Sequence, residues 1–170
     1  RDSSMTKVLV FAGNKRIADR LNSSLEFKFP GQLAVIHGNK NQNTRFKSVD
    51  QFESGACRVL IASDLIARGL DVTEVSHVIN INVPKNTEDY IHRIGRTGRA
   101  KKTGVAITFC TDLENQNLSK IEELMGIKIP QQEMPAEVEV SKVLTPDEED
   151  NATVKVIQLK QKKVDERGPA

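Results

Sequence analysis

The chain has 170 residues, 38% of them hydrophobic, with a formal net charge of +2, two cysteines, no tryptophan and one tyrosine. That length suits one domain and a tail, and the apolar content suffices for a core. It contains no run near the roughly 18 apolar residues needed to span a bilayer and no secretory signal pattern, so a soluble, non-membrane protein is expected.

One tyrosine and no tryptophan argue against a broad aromatic platform for stacking bases. Cys57 and Cys110 stand too far apart in sequence to suggest a zinc site or a disulfide framework, which points to a reducing, cytoplasmic compartment. Charge is uneven: residues 1–130 carry 19 Lys+Arg and 14 Asp+Glu (+5), whereas residues 131–170 carry 6 and 9 (−3). A mildly basic body permits a polyanionic partner without requiring one.

In chain order, KVLVFAG (7–13) reads as a β-strand ending in a Gly-Asn turn. Residues 15–26 follow with Ile17, Leu21 and Leu25 at helical spacing. LAVIH (33–37) is a second strand. Residues 42–54 suggest a helix with Phe46, Val49 and Phe52 as one buried stripe, stopped by Gly55. CRVLIAS (57–63) and HVININ (77–82) are further strands. TEDYIHRIGRTG (87–98) suggests a helix capped by Thr87 and running to Gly98. VAITFC (105–110) is a fifth strand, and Asp112 caps a last helix carrying Leu118, Ile121, Leu124 and Met125.

Strands alternating with amphipathic helices predict an α/β fold, a parallel sheet with helices on both faces. The turns after the strands, Gly13-Asn14, His37-Gly38-Asn39 and Ser63-Asp64, should then collect at the carboxyl edge, where such folds bind ligands. Beyond residue 130 the alternation fails. Three prolines and the acidic run Asp147–Asp150 suggest a largely irregular tail over 131–170, outside a domain of residues 1–130.

Three segments can carry chemistry. YIHRIGRTGRAKK (90–102) places His92, Arg93, Arg96 and Arg99 among glycines. On a helix His92 and Arg96 would share a face, and guanidinium forks there suit phosphate, although surface ion pairs are the ordinary fate of arginines. VLIASDLIARGLDV (59–72) runs from a strand into Ser63-Asp64, then Arg68 and Asp71. Its hydroxyl and acid can hold phosphate or ribose, or simply cap a helical turn. HGNKNQNTRF (37–46) offers Gly38 for close backbone approach, with Gln42 and Arg45 at a helix start that can receive a backbone phosphate or be plainly solvated.

Taken together, these segments resemble the C-terminal RecA-like domain of DEAD-box RNA helicases over about residues 5–130. VLVFAGN stands for motif IV, Gln42 and Arg45 for the following motif, VLIASDLIARGLD for motif V and YIHRIGRTGRA for motif VI. The KIEELMGIKIP ending (120–130) is similar to bacterial RhlE-type members. Ser63 replaces the family's usual Thr and keeps the hydroxyl, and Gly13-Asn14 replaces a Thr-bearing end of motif IV.

The resemblance implies that Arg96 and Arg99 are arginine fingers reaching the γ-phosphate of ATP, and that Asp71 contacts the ribose. It further implies that Gly38, Arg45, Ser63 and Arg68 grip the RNA backbone, and that Gln42, His92 and Arg93 serve interdomain coupling. The sequence contains neither GxxxxGK[ST] nor an Asp-Glu-Ala-Asp run. ATP and Mg²⁺ are therefore expected to be held by a missing N-terminal RecA-like domain, with this chain alone monomeric and inactive. Two other readings stay open: an ATP-independent RNA- or protein-binding module, and half of a superfamily 2 DNA translocase.

Overall fold

The computed structural model describes residues 4–67, 72, 75–98, 104–132 and 138. The chain divides into two units, Arg1–Ile129 and Pro130–Ala170, and the first holds every element below.

Its sheet comprises β1 (Val8–Ala12), β2 (Leu33–Ile36), β3 (Val59–Ser63), β4 (His77–Asn80) and β5 (Val105–Thr108), all parallel, in the order β2-β3-β1-β4-β5. The helices are α1 (Lys15–Glu26), α2 (Gln42–Glu53), α3 (Asp64–Ala67), α4 (Thr87–Ile94) and α5 (Asn115–Met125). The expected α/β architecture, a parallel sheet flanked by helices, is thus observed.

Strand β1 lies at the centre and is buried at all five positions. Its alternating side chains feed two cores. Leu9 and Phe11 pack with Ile36, Leu60, Val78 and Phe52, the last supplied by α2. Val8, Val10 and Ala12 pack on the other face with Ile61 and with Ala18, Leu21 and Leu25 of α1. Tyr90 of α4 and Leu118 and Ile121 of α5 form a third cluster with Val83. Cover is thinner over the edge strand, where Val105 and Ile107 are exposed.

Five local expectations change. Phe46 is 64% exposed, while Phe52 is fully buried. Positions three apart drift about 60° round a helix per step, which puts Phe46 roughly 120° from Phe52. The inward stripe runs instead through Ser48, Val49 and Phe52. Asn86, not Thr87, caps α4, its Oδ1 accepting the Glu88 N–H at 3.1 Å.

That helix ends at Ile94 rather than Gly98, so Arg96 lies beyond it and shares no helical face with His92. The backbone tightens into i→i−3 bonds from Arg96 to Arg93 and from Thr97 to Ile94. Gly98 follows at φ +73°. Before the last helix Thr111, not Asp112, stands at the cap of a 3-10 turn (Asp112–Glu114), its N–H and Oγ1 both donating to Glu114 Oε2. Leu124 of α5 is exposed.

Candidate nucleotide and nucleic-acid edge

Parallel pairing brings four strand ends into line. Ala12 pairs with Ser63, Ile36 with Ala62 and Phe11 with Asn80. Gly13-Asn14, His37-Gly38 and Ser63-Asp64 therefore emerge along one carboxyl edge. Asn14 turns at once to cap α1, its Oδ1 accepting the Ile17 N–H at 3.0 Å. Gly13 is held close to β4, since a Cβ there would come 3.0 Å from Asn82 Oδ1.

Gly38 is exposed, with open space where a Cβ would stand. Asn41 caps α2 through the Thr44 N–H at 2.8 Å. Gln42 and Arg45 meet one turn apart, an Arg45 Nη2 donating to Gln42 Oε1. Arg45 Nε is buried without a partner. This segment presents open backbone, a capped helix start and cationic side chains in one place, a combination that accommodates a phosphate.

Ser63 is buried at the end of β3, and Asp64 opens α3. Arg68 and Asp71 lie outside the described residues, as does Arg99. His92 is exposed on α4, and Arg96 is half-buried in the turn that follows it.

Arg93 differs from its neighbours in being 3% exposed. Nη2 donates to Asp64 Oδ1 at 2.7 Å, while Nη1 donates to the Asn82 carbonyl at 2.9 Å and to Asn80 Oδ1 at 3.4 Å. The guanidinium also lies 5.4 Å from the centroid of the Phe11 ring. Burial pushes its pKa down; Asp64 first, then Asp89 and Glu114, push it back up. Arg93 thus joins α4 to the ends of β1, β3 and β4.

The polar chain continues past it. Asn80 is fully buried and donates from Nδ2 to Thr108 Oγ1 at 3.0 Å, and Tyr90 Oη lies 3.3 Å from the same hydroxyl. Asn80 and Thr108 were not singled out in the sequence. The available signal was an asparagine alternating with isoleucines inside HVININ, where a buried polar group needs a partner.

The Arg96 turn is held from below. Thr97 Oγ1 donates to the Val75 carbonyl at 2.5 Å, and Val75 and Thr97 form an isolated parallel bridge. A Cβ on Gly104 would overlap Thr97 Oγ1 and the Gly98 backbone nitrogen, so only glycine lets β5 begin this close. Among the described residues no three His, Cys, Asp or Glu side chains gather as a metal-binding set.

Residues 1–101 match the helicase conserved C-terminal domain family. The chain is 45% identical over 125 residues to ATP-dependent RNA helicase DBP2 of Pyricularia oryzae, which covers 73% of this chain and 22% of that protein. It is 53% identical over 112 residues to DEAD-box ATP-dependent RNA helicase 5 of Arabidopsis thaliana, covering 65% and 20%.

Among solved structures, the fold resembles a DEAD-box protein of Methanococcus jannaschii (TM-score 0.67, 39% identity, 75% of this chain and 35% of that one). It also resembles domain 2 of the Mss116p DEAD-box helicase bound to an RNA duplex (TM-score 0.68, 34% identity, 79% and 54%). The chain therefore belongs to the helicase conserved C-terminal domain family, as the C-terminal RecA-like domain of a DEAD-box protein. It spans about a fifth of the length of the curated relatives it matches.

Proposed function

We propose that this chain is the second half of an ATP-dependent RNA helicase core, supplying arginine fingers and RNA-backbone contacts for local unwinding of RNA duplexes. Two observations carry the reading: the carboxyl edge to which β1, β2 and β3 deliver their loops, and the Arg96 turn that α4 brings back to the amino end of β4, where Thr97 bridges Val75.

In this mechanism ATP and Mg²⁺ are held by an N-terminal RecA-like domain, and RNA bridges the two domains. Arg96, with Arg99, meets the γ-phosphate on closure and stabilises the charge that develops in the transition state. Asp71 takes the ribose, and Ser63, Gly38, Arg45 and Arg68 hold the RNA backbone, so recognition is largely sequence-independent and sensitive to salt. Gln42 and the exposed His92 face the partner domain. Closure bends one RNA strand and thereby opens a short duplex.

Arg93 is given a different role from its neighbours. Its hydrogen bonds to Asp64, Asn80 and Asn82 are spent inside this domain, so it acts by fixing α4 against the strand ends. The RhlE-type assignment rests on the KIEELMGIKIP ending and the tail sequence that follows it. A cytoplasmic setting accords with two free cysteines, one of them exposed.

The test is Arg96→Ala in this chain joined to its N-terminal domain. Loss of RNA-stimulated ATP hydrolysis by about 10³-fold or more is expected for a finger. Turnover at the unsubstituted rate contradicts the assignment.

A further inference from the structure

Asp19 lies on α1, outside all four family motifs, yet it reaches the loop that follows β2. Its Oδ1 is 2.9 Å from His37 Nε2 and 3.6 Å from Lys40 Nζ. His37 is 3% exposed, and its Nδ1 accepts the Asn39 N–H at 3.3 Å. With Nδ1 as acceptor, the ring proton sits on Nε2 and is donated to Asp19.

The loop closes on itself through Lys40 N–H to the His37 carbonyl at 3.0 Å, and Lys15 Nζ donates to Asn39 Oδ1 at 3.3 Å. His37, Asn39 and Lys40 are thereby tied to α1 or to one another, and Gly38 alone is left open between them.

We propose that Asp19 is a positioning residue for RNA binding, its carboxylate fixing the His37 ring and the Lys40 ammonium so that the Gly38 backbone is preset to receive a phosphate. This rests on the helicase reading above. Two effects of opposite sign meet here. A carboxylate beside the path of a polyanion repels it, whereas a carboxylate that orders the receiving loop removes part of the entropy lost on binding. Repulsion is weakened because the half-exposed carboxylate is screened and shares its charge with Lys40.

The measurement is the affinity of a mixed-sequence single-stranded RNA of about 12 nucleotides for this chain joined to its N-terminal domain, across a salt series. Asp19→Ala is expected to weaken binding roughly three- to tenfold, the worth of one ordering hydrogen bond. The slope of log affinity against log salt should fall by ~0.7, one phosphate contact on a single strand. Asp19→Asn keeps an oxygen that accepts from His37 Nε2 and should bind at least as tightly as the unsubstituted protein. Hydrolysis of ATP without RNA should be the same in all three.

Alanine at this half-exposed helical position preserves the fold. Equal or tighter binding by Asp19→Ala, or equal weakening by both variants, overturns the positioning role alone. Failure of the unsubstituted protein to bind RNA overturns the helicase reading and this inference together.

Discussion

Arg93 Nη2 donates to Asp64 Oδ1 across 2.7 Å, joining the helix of one family motif to the strand end of another. The guanidinium is almost wholly buried, and the carboxylate is about one-third exposed. Removing the guanidinium takes a hydrogen bond from Asp64 and leaves Asn80 Oδ1 and the Asn82 carbonyl without this donor inside the domain. Arg93→Ala should therefore cost about 1–3 kcal/mol, read as a fall in the urea midpoint. Arg93→Lys should lie between, because an ammonium keeps the charge but cannot serve Asp64, Asn80 and the Asn82 carbonyl together. An Arg93→Ala midpoint equal to that of the unsubstituted chain contradicts this structural role.

Phe46 and Phe52 share α2 but differ in burial, and substitution should separate them. Phe52→Ala opens a cavity at a fully buried site and should cost about 3–5 kcal/mol. Phe46→Ala should change stability by under about 0.5 kcal/mol. Comparable losses at both positions would return Phe46 to the core.

Much of the fold was legible because apolar runs and amphipathic helices leave clear periods, as in residues 7–13 and 15–26. The positions at which loops leave the sheet followed from Gly13, Gly38 and Ser63 at strand ends. What escaped depends on tertiary geometry. Arg93 reads like Arg96 in a list of cations, and only folding turns one inward onto Asp64 and Phe11. The helix end at Ile94 escaped for a similar reason: Thr97 is drawn to Val75, a partner twenty-two residues away in sequence. Nor does helical spacing choose between Phe46 and Ser48 when a small polar residue takes the inward place. Arg68, Asp71 and Arg99 keep their places in the family motifs but lie outside the described residues.

Gly104 gives a test of the Arg96 turn. A methyl group at this position meets Thr97 and the Gly98 backbone, so Gly104→Ala must displace the turn or the start of β5. Overpacking of this kind costs about 1–3 kcal/mol. Amide exchange should show lost protection around Thr97 and Val105, with the α1 side of the sheet unaffected. Unchanged protection in that region contradicts the close approach.

Stability in acid gives a further test. Burial alone would raise the Asp19 pKa, but hydrogen bonding and charge from His37, followed by Lys40, bring it below its ordinary value of 3.8. A carboxylate depressed in the folded state contributes stability at pH above its unfolded value and loses it as pH falls through the folded one. Denaturant midpoints of the unsubstituted chain and Asp19→Asn should differ at pH well above the ordinary carboxylate value, then converge as pH falls through the lower folded value. A difference that persists unchanged into acid contradicts this linkage.

On the proposed reading this domain holds one half of a divided active site. That reading is tested most directly by ATP hydrolysis, with and without single-stranded RNA, for this chain alone and joined to its N-terminal RecA-like domain. No turnover by the chain alone, and RNA-dependent turnover by the joined protein, is the predicted result. Turnover by the chain alone would place a complete nucleotide site within these 170 residues and contradict the account.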